Sequence, residues 1–148
     1  MKIAIGSDHG GYKLKQCLIE YLKKNGHNLL DVGCFSEESC DYPQYSFRAA
    51  ELLSKKLVDR AIVICKSGIG NSIAANKAKG VRAALCYNVA QAKSSRQHNN
   101  ANVIALGASY VSRDLAKKMV SVWLKTKALG GRHARRVRQI TKLENKKR

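Results

Sequence analysis

Ala61-Ile62-Val63-Ile64-Cys65-Lys66-Ser67-Gly68-Ile69-Gly70-Asn71-Ser72 runs an apolar strand straight into a thiol, a hydroxyl and two glycines. A run without polar alternation suits a strand buried on both faces of a parallel sheet. Ile73-Ala74-Ala75-Asn76-Lys77-Ala78 then reads as the start of a helix. Ligands of such sheets bind where the strands end. Glycine lets backbone N–H groups approach an anion closely, and a helix start adds the positive end of its dipole. Negative charge developing at this loop is therefore stabilised. Gly68 and Gly70 have little purpose in plain packing here, which favours a functional loop.

Outward from this stretch, strand-like runs fall at 2–7, 28–32, 60–65, 81–86 and 103–107, with helix-like patterns between them. The alternation predicts βαβ units and a doubly wound parallel sheet, hence an α/β protein. Leu14, Leu18, Tyr21 and Leu22 share one helical face, and Asn25-Gly26 supplies the stop. Leu115, Met119, Val122 and Trp123 repeat that spacing near the C-terminus and read as core positions. The one proline, Pro43, fits the first turn of a helix carrying Phe47, Ala50 and Leu53. From Gly130-Gly131 a basic helix, about 132–148, is expected, with Val137 and Ile140 as a thin apolar stripe for packing on a neighbour.

A chain of 148 residues with 45% apolar content is read as one domain, 1–148, with a proper core. No run approaches the roughly 20 apolar residues of a membrane span, and the first strand begins at Lys2 without a signal-like segment. A cytoplasmic protein is expected. Cys17, Cys34, Cys40, Cys65 and Cys86 are odd in number and scattered, with no Cys-x-x-Cys pair, so neither a disulfide framework nor a metal is expected. The formal charge is +18, and residues 125–148 hold ten Lys or Arg against the single acid Glu144. Such a tail fits nucleic acid, a phosphorylated small molecule or a solvated helix face. It contains no aromatic residue on which a base would stack, so nucleic acid is not the expected partner.

Chemistry-bearing residues form four clusters: Ser7-Asp8-His9-Gly10-Gly11, Cys65 to Ser72, Arg96-Gln97-His98-Asn99-Asn100, and Gly130-Gly131-Arg132-His133 with Arg135 and Arg136. The first two should be neighbours, since the carboxyl ends of parallel strands share one rim. A thiol, two imidazoles, a carboxylate and several guanidiniums are thus candidates to converge. Each has a plainer reading: Cys65 as a small hydrophobe, Asp8 as a helix cap, His98 as a polar helix end, the arginines as a solvated face. The glycines match neither the Walker pattern nor, at Gly6-Ser7-Asp8-His9-Gly10-Gly11, a dinucleotide fingerprint. A nucleotide cofactor is not expected.

Asp8-His9-Gly10-Gly11, Asp41-Tyr42-Pro43, Cys65 through Lys77, and Ser95-Arg96-Gln97-His98-Asn99-Asn100-Ala101-Asn102 occur in an order that resembles the RpiB/LacAB family of sugar-phosphate isomerases, in particular its ribose-5-phosphate isomerase B branch. The resemblance runs from the first strand to Arg136. It implies a three-layer, Rossmann-like, five-stranded domain and a homodimer, or a tetramer of paired dimers, with active sites between subunits. It also implies interconversion of ribose 5-phosphate and ribulose 5-phosphate in the pentose phosphate pathway, without metal or organic cofactor.

By the same resemblance, Cys65 stands where cysteine-type members hold the base that moves a proton between C2 and C1. Asn71 occupies the position of a glutamate base in a second branch and cannot serve as one. Ser67, with the amides of Gly68, Ile69, Gly70, Asn71 and Ser72, would hold the enediolate oxyanion. Asp8 would bind sugar hydroxyls, His98 would assist ring opening, and Asn99 would bind substrate oxygens. His9, Arg132 and Arg136 form the implied phosphate set. Two positions depart from the pattern: Lys66 stands for a usual glycine, and Ser109 for a common phosphate-binding arginine. A hexose 6-phosphate, allose or galactose, is the alternative substrate.

These assignments make physical sense together. A proton next to a carbonyl is a weak acid, so a base alone is insufficient and the enediolate needs donors in a screened site. A thiol acts as base only as thiolate, which a helix start or a nearby cation favours. Guanidinium forks suit phosphate, and that remote grip positions the reacting carbons.

Overall fold

The computed structural model describes residues 1–146. Five parallel strands form one sheet: β1 (Lys2–Ser7), β2 (Asn28–Asp31), β3 (Arg60–Cys65), β4 (Ala83–Leu85) and β5 (Val103–Gly107), in the order β2-β1-β3-β5-β4. The helices are α1 (Tyr12–Lys24), α2 (Tyr42–Ser54), α3 (Ile69–Ala75), α4 (Val89–Asn99), α5 (Arg113–Lys125) and α6 (Gly131–Lys146). The architecture is therefore the expected α/β one, Rossmann-like and wound on both faces. The edge strands β2 and β4 are shorter than the apolar runs predict. Each pairs on one side only, so its ladder ends as soon as the chain leaves its single neighbour.

Alternation along the central strands divides the core in two. Ile3, Ile5, Ile62, Ile64, Ile104 and Leu106 face one layer, packed with Leu14, Leu18 and Leu22 of α1 and Met119 and Trp123 of α5. Ala4, Ala61, Val63, Val103 and Ala105 face the other, against Ala49 and Ala50 of α2 and Ala75 of α3. Small residues dominate this second interface. Phe47, expected on the α2 stripe, is instead 45% exposed, because Ser46, Ala49 and Ala50 supply the buried side of that helix.

Lys15 is fully buried in α1, one place along from Leu14 and on the stripe of Ile19 and Leu22. Its ammonium donates to both carboxylate oxygens of Asp31, at 2.6 and 2.7 Å, and to the Cys34 carbonyl at 2.6 Å. A buried cation needs such partners. The result is a tie between α1 and the loop after β2.

The basic helix begins at Gly131, and its last two anticipated residues, 147–148, lie outside the described ones. None of its residues is buried. Val137 lines a cavity with His98, Leu129 and Ala134 of its own chain, whereas Ile140 and Leu143 stay 48% and 61% exposed. Among the described residues no helix is long and apolar enough to cross a membrane.

Candidate active site

The carboxyl ends of β1 and β3 bring the first two clusters together. Asp8 N–H donates to the Ile64 carbonyl at 3.1 Å, seating Asp8 beside Cys65. Asp8 also caps the short 3-10 turn His9–Gly11, its Oδ1 accepting from Gly11 N–H at 2.9 Å. The helix-capping reading of Asp8 is therefore borne out. His9 Nδ1 lies 3.2 Å from both the Cys40 N–H and the Cys40 carbonyl. The imidazole thus finds a partner there as acceptor or as donor, and Nε2 is left for other contacts.

Cys65 ends β3 at 5% exposure, and Gly68 N–H donates to its Sγ at 3.1 Å. A donated N–H of this kind stabilises negative charge on the acceptor. Burial pushes Cys86 up to about 11, against the partial relief of a hydrogen bond to Ser95. Cys34 is raised as well, first by burial and further by Cys40. Both are held as neutral thiols.

Contrary to the expectation from sequence, both glycines of the loop have a packing reason. Gly68 has φ of +79°, and a Cβ there would meet Leu85 Cδ1 at 2.6 Å. A Cβ on Gly70 would run into the ring and hydroxyl of Tyr42. The loop is shaped by the sheet edge and by Tyr42, a residue the sequence reading passed over except as part of a motif. Its amides are also unequal. Gly68 N–H serves Cys65, Ile69 N–H reaches Ser67 Oγ at 3.3 Å, and Ser72 N–H bonds the Gly68 carbonyl at 3.1 Å. The Gly70 and Asn71 N–H groups, in the first turn of α3, have no hydrogen-bond acceptor among the described residues. Ser72 Oγ is committed to the Ile69 carbonyl at 2.8 Å, and the Ser67 carbonyl accepts from Tyr87 Oη at 3.1 Å. The Asn71 side chain is fully buried with neither amide atom hydrogen-bonded.

The other two clusters sit at the opposite rim, which corrects the expectation of convergence within one chain. In a βαβ unit the helix returns the chain, so α4 ends where β5 begins. Arg82, just before β4, donates to the Asn99 and Asn100 carbonyls at 3.1 Å each, and the Asn102 carbonyl accepts from Ala61 N–H at 3.1 Å. Ala61 and Cys65 are four residues apart on β3, about 13 Å along the strand. His98 and Asn99, both exposed, therefore lie a sheet's height from the thiol.

That lower rim has its own order. His98 stacks on His133 with ring centroids 4.4 Å apart and planes 11° off parallel. Arg132 and Arg136 project from exposed positions on the same helix as His133. Desolvation, then His98, Arg132 and Arg136, lower the pKa of His133 below the ordinary histidine value. Arg96 is buried and structural: it donates to the Thr126, Asn100 and Ala101 oxygens, at 3.3, 2.8 and 2.6 Å, clamping the end of α4 to the segment before α6. Beneath α6 runs a groove of about 470 Å³ whose lining includes Arg82, Asn99, Ile140 and Leu143. Among the described residues no three His, Cys, Asp or Glu side chains gather as metal ligands.

The fold and the upper rim define an open α/β protein whose strand-to-helix loop sets a thiol among hydrogen-bond donors. Comparison with known proteins narrows this class. The family model described as Ribose/Galactose Isomerase, LacAB_rpiB, matches residues 3–140. Ribose-5-phosphate isomerase B of Escherichia coli is 43% identical over 146 residues, covering 99% of this chain and 98% of that protein. The Clostridium thermocellum ribose-5-phosphate isomerase B structure superposes with a TM-score of 0.98 at 50% identity over 100% of both chains. That of the Mycoplasma genitalium enzyme, with bound ribulose 5-phosphate, gives 0.94 at 40% identity, covering 97% of this chain and 96% of that one. The chain belongs to the LacAB/RpiB family of sugar isomerases.

Proposed function

We propose that this protein interconverts ribose 5-phosphate and ribulose 5-phosphate, with Cys65 as the base. The observation that carries the reading is the Cys65 thiol beside the unpartnered Gly70 and Asn71 N–H groups, in a chain whose relatives bear that enzyme's name. The thiolate removes the proton on C2 of the open-chain aldose, and the electron pair moves through a C1–C2 double bond onto the carbonyl oxygen. The thiol then returns the proton to C1 while the C2 hydroxyl proton passes to the C1 oxygen, giving the C2 ketone and C1 hydroxyl of the ketose. Ser67 and the Gly70 and Asn71 amides stabilise the enediolate, the Gly68, Ile69 and Ser72 N–H groups being engaged within the loop. Asp8 receives sugar hydroxyls. His98 assists opening of the furanose, Asn99 binds substrate oxygens, and His9, Arg132 and Arg136 bind the phosphate. No step requires a metal or organic cofactor.

The active site in this reading is shared by two chains. The separation of Cys65 from His98 supports it, because a two-fold dimer can set the upper rim of one chain against the lower rim of its partner. Exposed Phe47, Ile69 and Ile73, at 45%, 51% and 57%, are apolar groups on α2 and α3 suited to such an interface.

Purified protein mixed with ribose 5-phosphate should form ketose, and Cys65→Ala should lower kcat by roughly 10²–10⁴-fold, the usual contribution of a positioned base. A wild-type rate no better than that of the variant sinks the reading. Allose and galactose 6-phosphates in the same assay separate a pentose from a hexose enzyme.

A further inference from the structure

Lys66 stands next to the thiol with no assigned task. It is exposed and forms no ion pair among the described residues. Its carbonyl accepts from Ser109 N–H at 3.0 Å, and a Cβ built on Gly10 would lie 3.4 Å from its own Cβ. Residue 66 therefore leaves the sheet wedged between the turn that carries His9 and the turn after β5.

Direction along the strand decides what the ammonium can do. Side chains alternate, and Ile62 and Ile64 belong to the core layer of α1 and α5, whereas Ala61 and Val63 belong to that of α2 and α3. Cys65 continues the second series, and Lys66, one residue past the strand end, sets its Cβ against Gly10. The stem of Lys66 thus starts alongside Gly10, next to His9. This placement suits recognition of a substrate group beside His9.

We propose that Lys66 is a substrate-binding residue for the phosphate, completing on the upper rim, with His9, a cradle that the arginines close from the other chain. The inference rests on the sugar-phosphate reading above. An ammonium offers three donors on a stem long enough to bridge from the strand end past Gly10, and a doubly charged phosphate is the anion it would take.

Lys66→Met should raise KM for ribose 5-phosphate about tenfold, as loss of one charge-assisted contact does, while changing kcat by less than about twofold. Lys66→Arg should keep most of the affinity. The double variant Lys66→Met/Ser109→Arg should regain it, because residue 109 bonds the residue 66 carbonyl and carries a cation into the same region. Turnover of unphosphorylated ribose should not distinguish Lys66→Met from wild type. An unchanged KM, an equal loss with ribose, or a displaced acidic limb of the kcat profile overturns the proposal, the last by showing that Lys66 acts on the thiol. Binding of inorganic phosphate, measured by calorimetry, separates this inference from the isomerase reading. About fivefold weaker binding in Lys66→Met supports the phosphate contact even in a protein that turns over no pentose phosphate. Equal binding overturns it even in an active one.

Discussion

The two rims of the sheet are built by different means. At the upper rim Cys65, Asp8 and the glycine loop are held by strand ends and short backbone hydrogen bonds, and the loop after β2 is pinned by the buried Lys15–Asp31 pair. At the lower rim Arg132 and Arg136 ride an exposed helix that buries nothing, and order comes from Arg96 and one histidine stack. The upper half is thus preorganised by the core, where bond-making chemistry needs donors in place before reaction. The lower half presents long cations on an unburied helix, which suits gripping a phosphate held between two chains. Precision and reach are divided between opposite ends of one chain.

The largest test of that division is complementation. Cys65→Ala and His98→Ala should each be nearly inactive alone. Unfolded and refolded together in equal amounts, they should recover roughly one quarter of wild-type activity, since half of randomly paired dimers hold one intact site of two. No recovery, with dimers verified by light scattering, would mean that each site draws on one chain only.

A smaller effect compares how the rims are anchored. Lys15→Met leaves Asp31 and the Cys34 carbonyl without their buried partner and should lower unfolding free energy by about 3 kcal/mol. Lys142→Ala on α6 should shift it by less than about 0.5 kcal/mol, as surface substitutions do. Equal effects in urea titrations would erase the contrast.

The finest effect is pH dependence at the lower rim. The pKa of His133 is depressed in the folded protein, so between that value and the ordinary 6.5 the unfolded chain binds more protons. Its contribution to stability is intact above pH 6.5 and declines as pH falls below it. His27, lowered by burial and by the N-terminal amine, acts in the same sense. Melting temperature should therefore drop from pH 7.5 to 5, and His133→Gln should drop less. Identical slopes would show that the stacked pair titrates without strain.

Much of this was legible from residue patterns. The continuous apolar run 61–65 announced a central strand because a strand buried on both faces has no polar side to display, and β3 fills its predicted span. The stop at Asn25-Gly26 and the proline in the first turn of α2 were likewise visible, since caps depend on local chemistry. Edge-strand lengths were not, because they depend on neighbours. Lys15 carried a signal in hindsight: a lysine on an apolar stripe demands a buried acceptor, but its partner lies 16 residues away on another element. The purpose of Gly70 was illegible as well, since only the fold brings Tyr42 against it.

Local order of residue types thus determined the α/β class, the strand-to-helix loop at Cys65 and the family resemblance, because periodicity and motif spacing act over a few residues. Only the tertiary structure decided that Gly70 and Asn71 hold the free amides, that Cys86 is an inert thiol, and that His98 and the arginines stand apart from Cys65. Those facts follow from burial and from the direction in which each helix returns the chain, quantities that exist only once distant segments have packed.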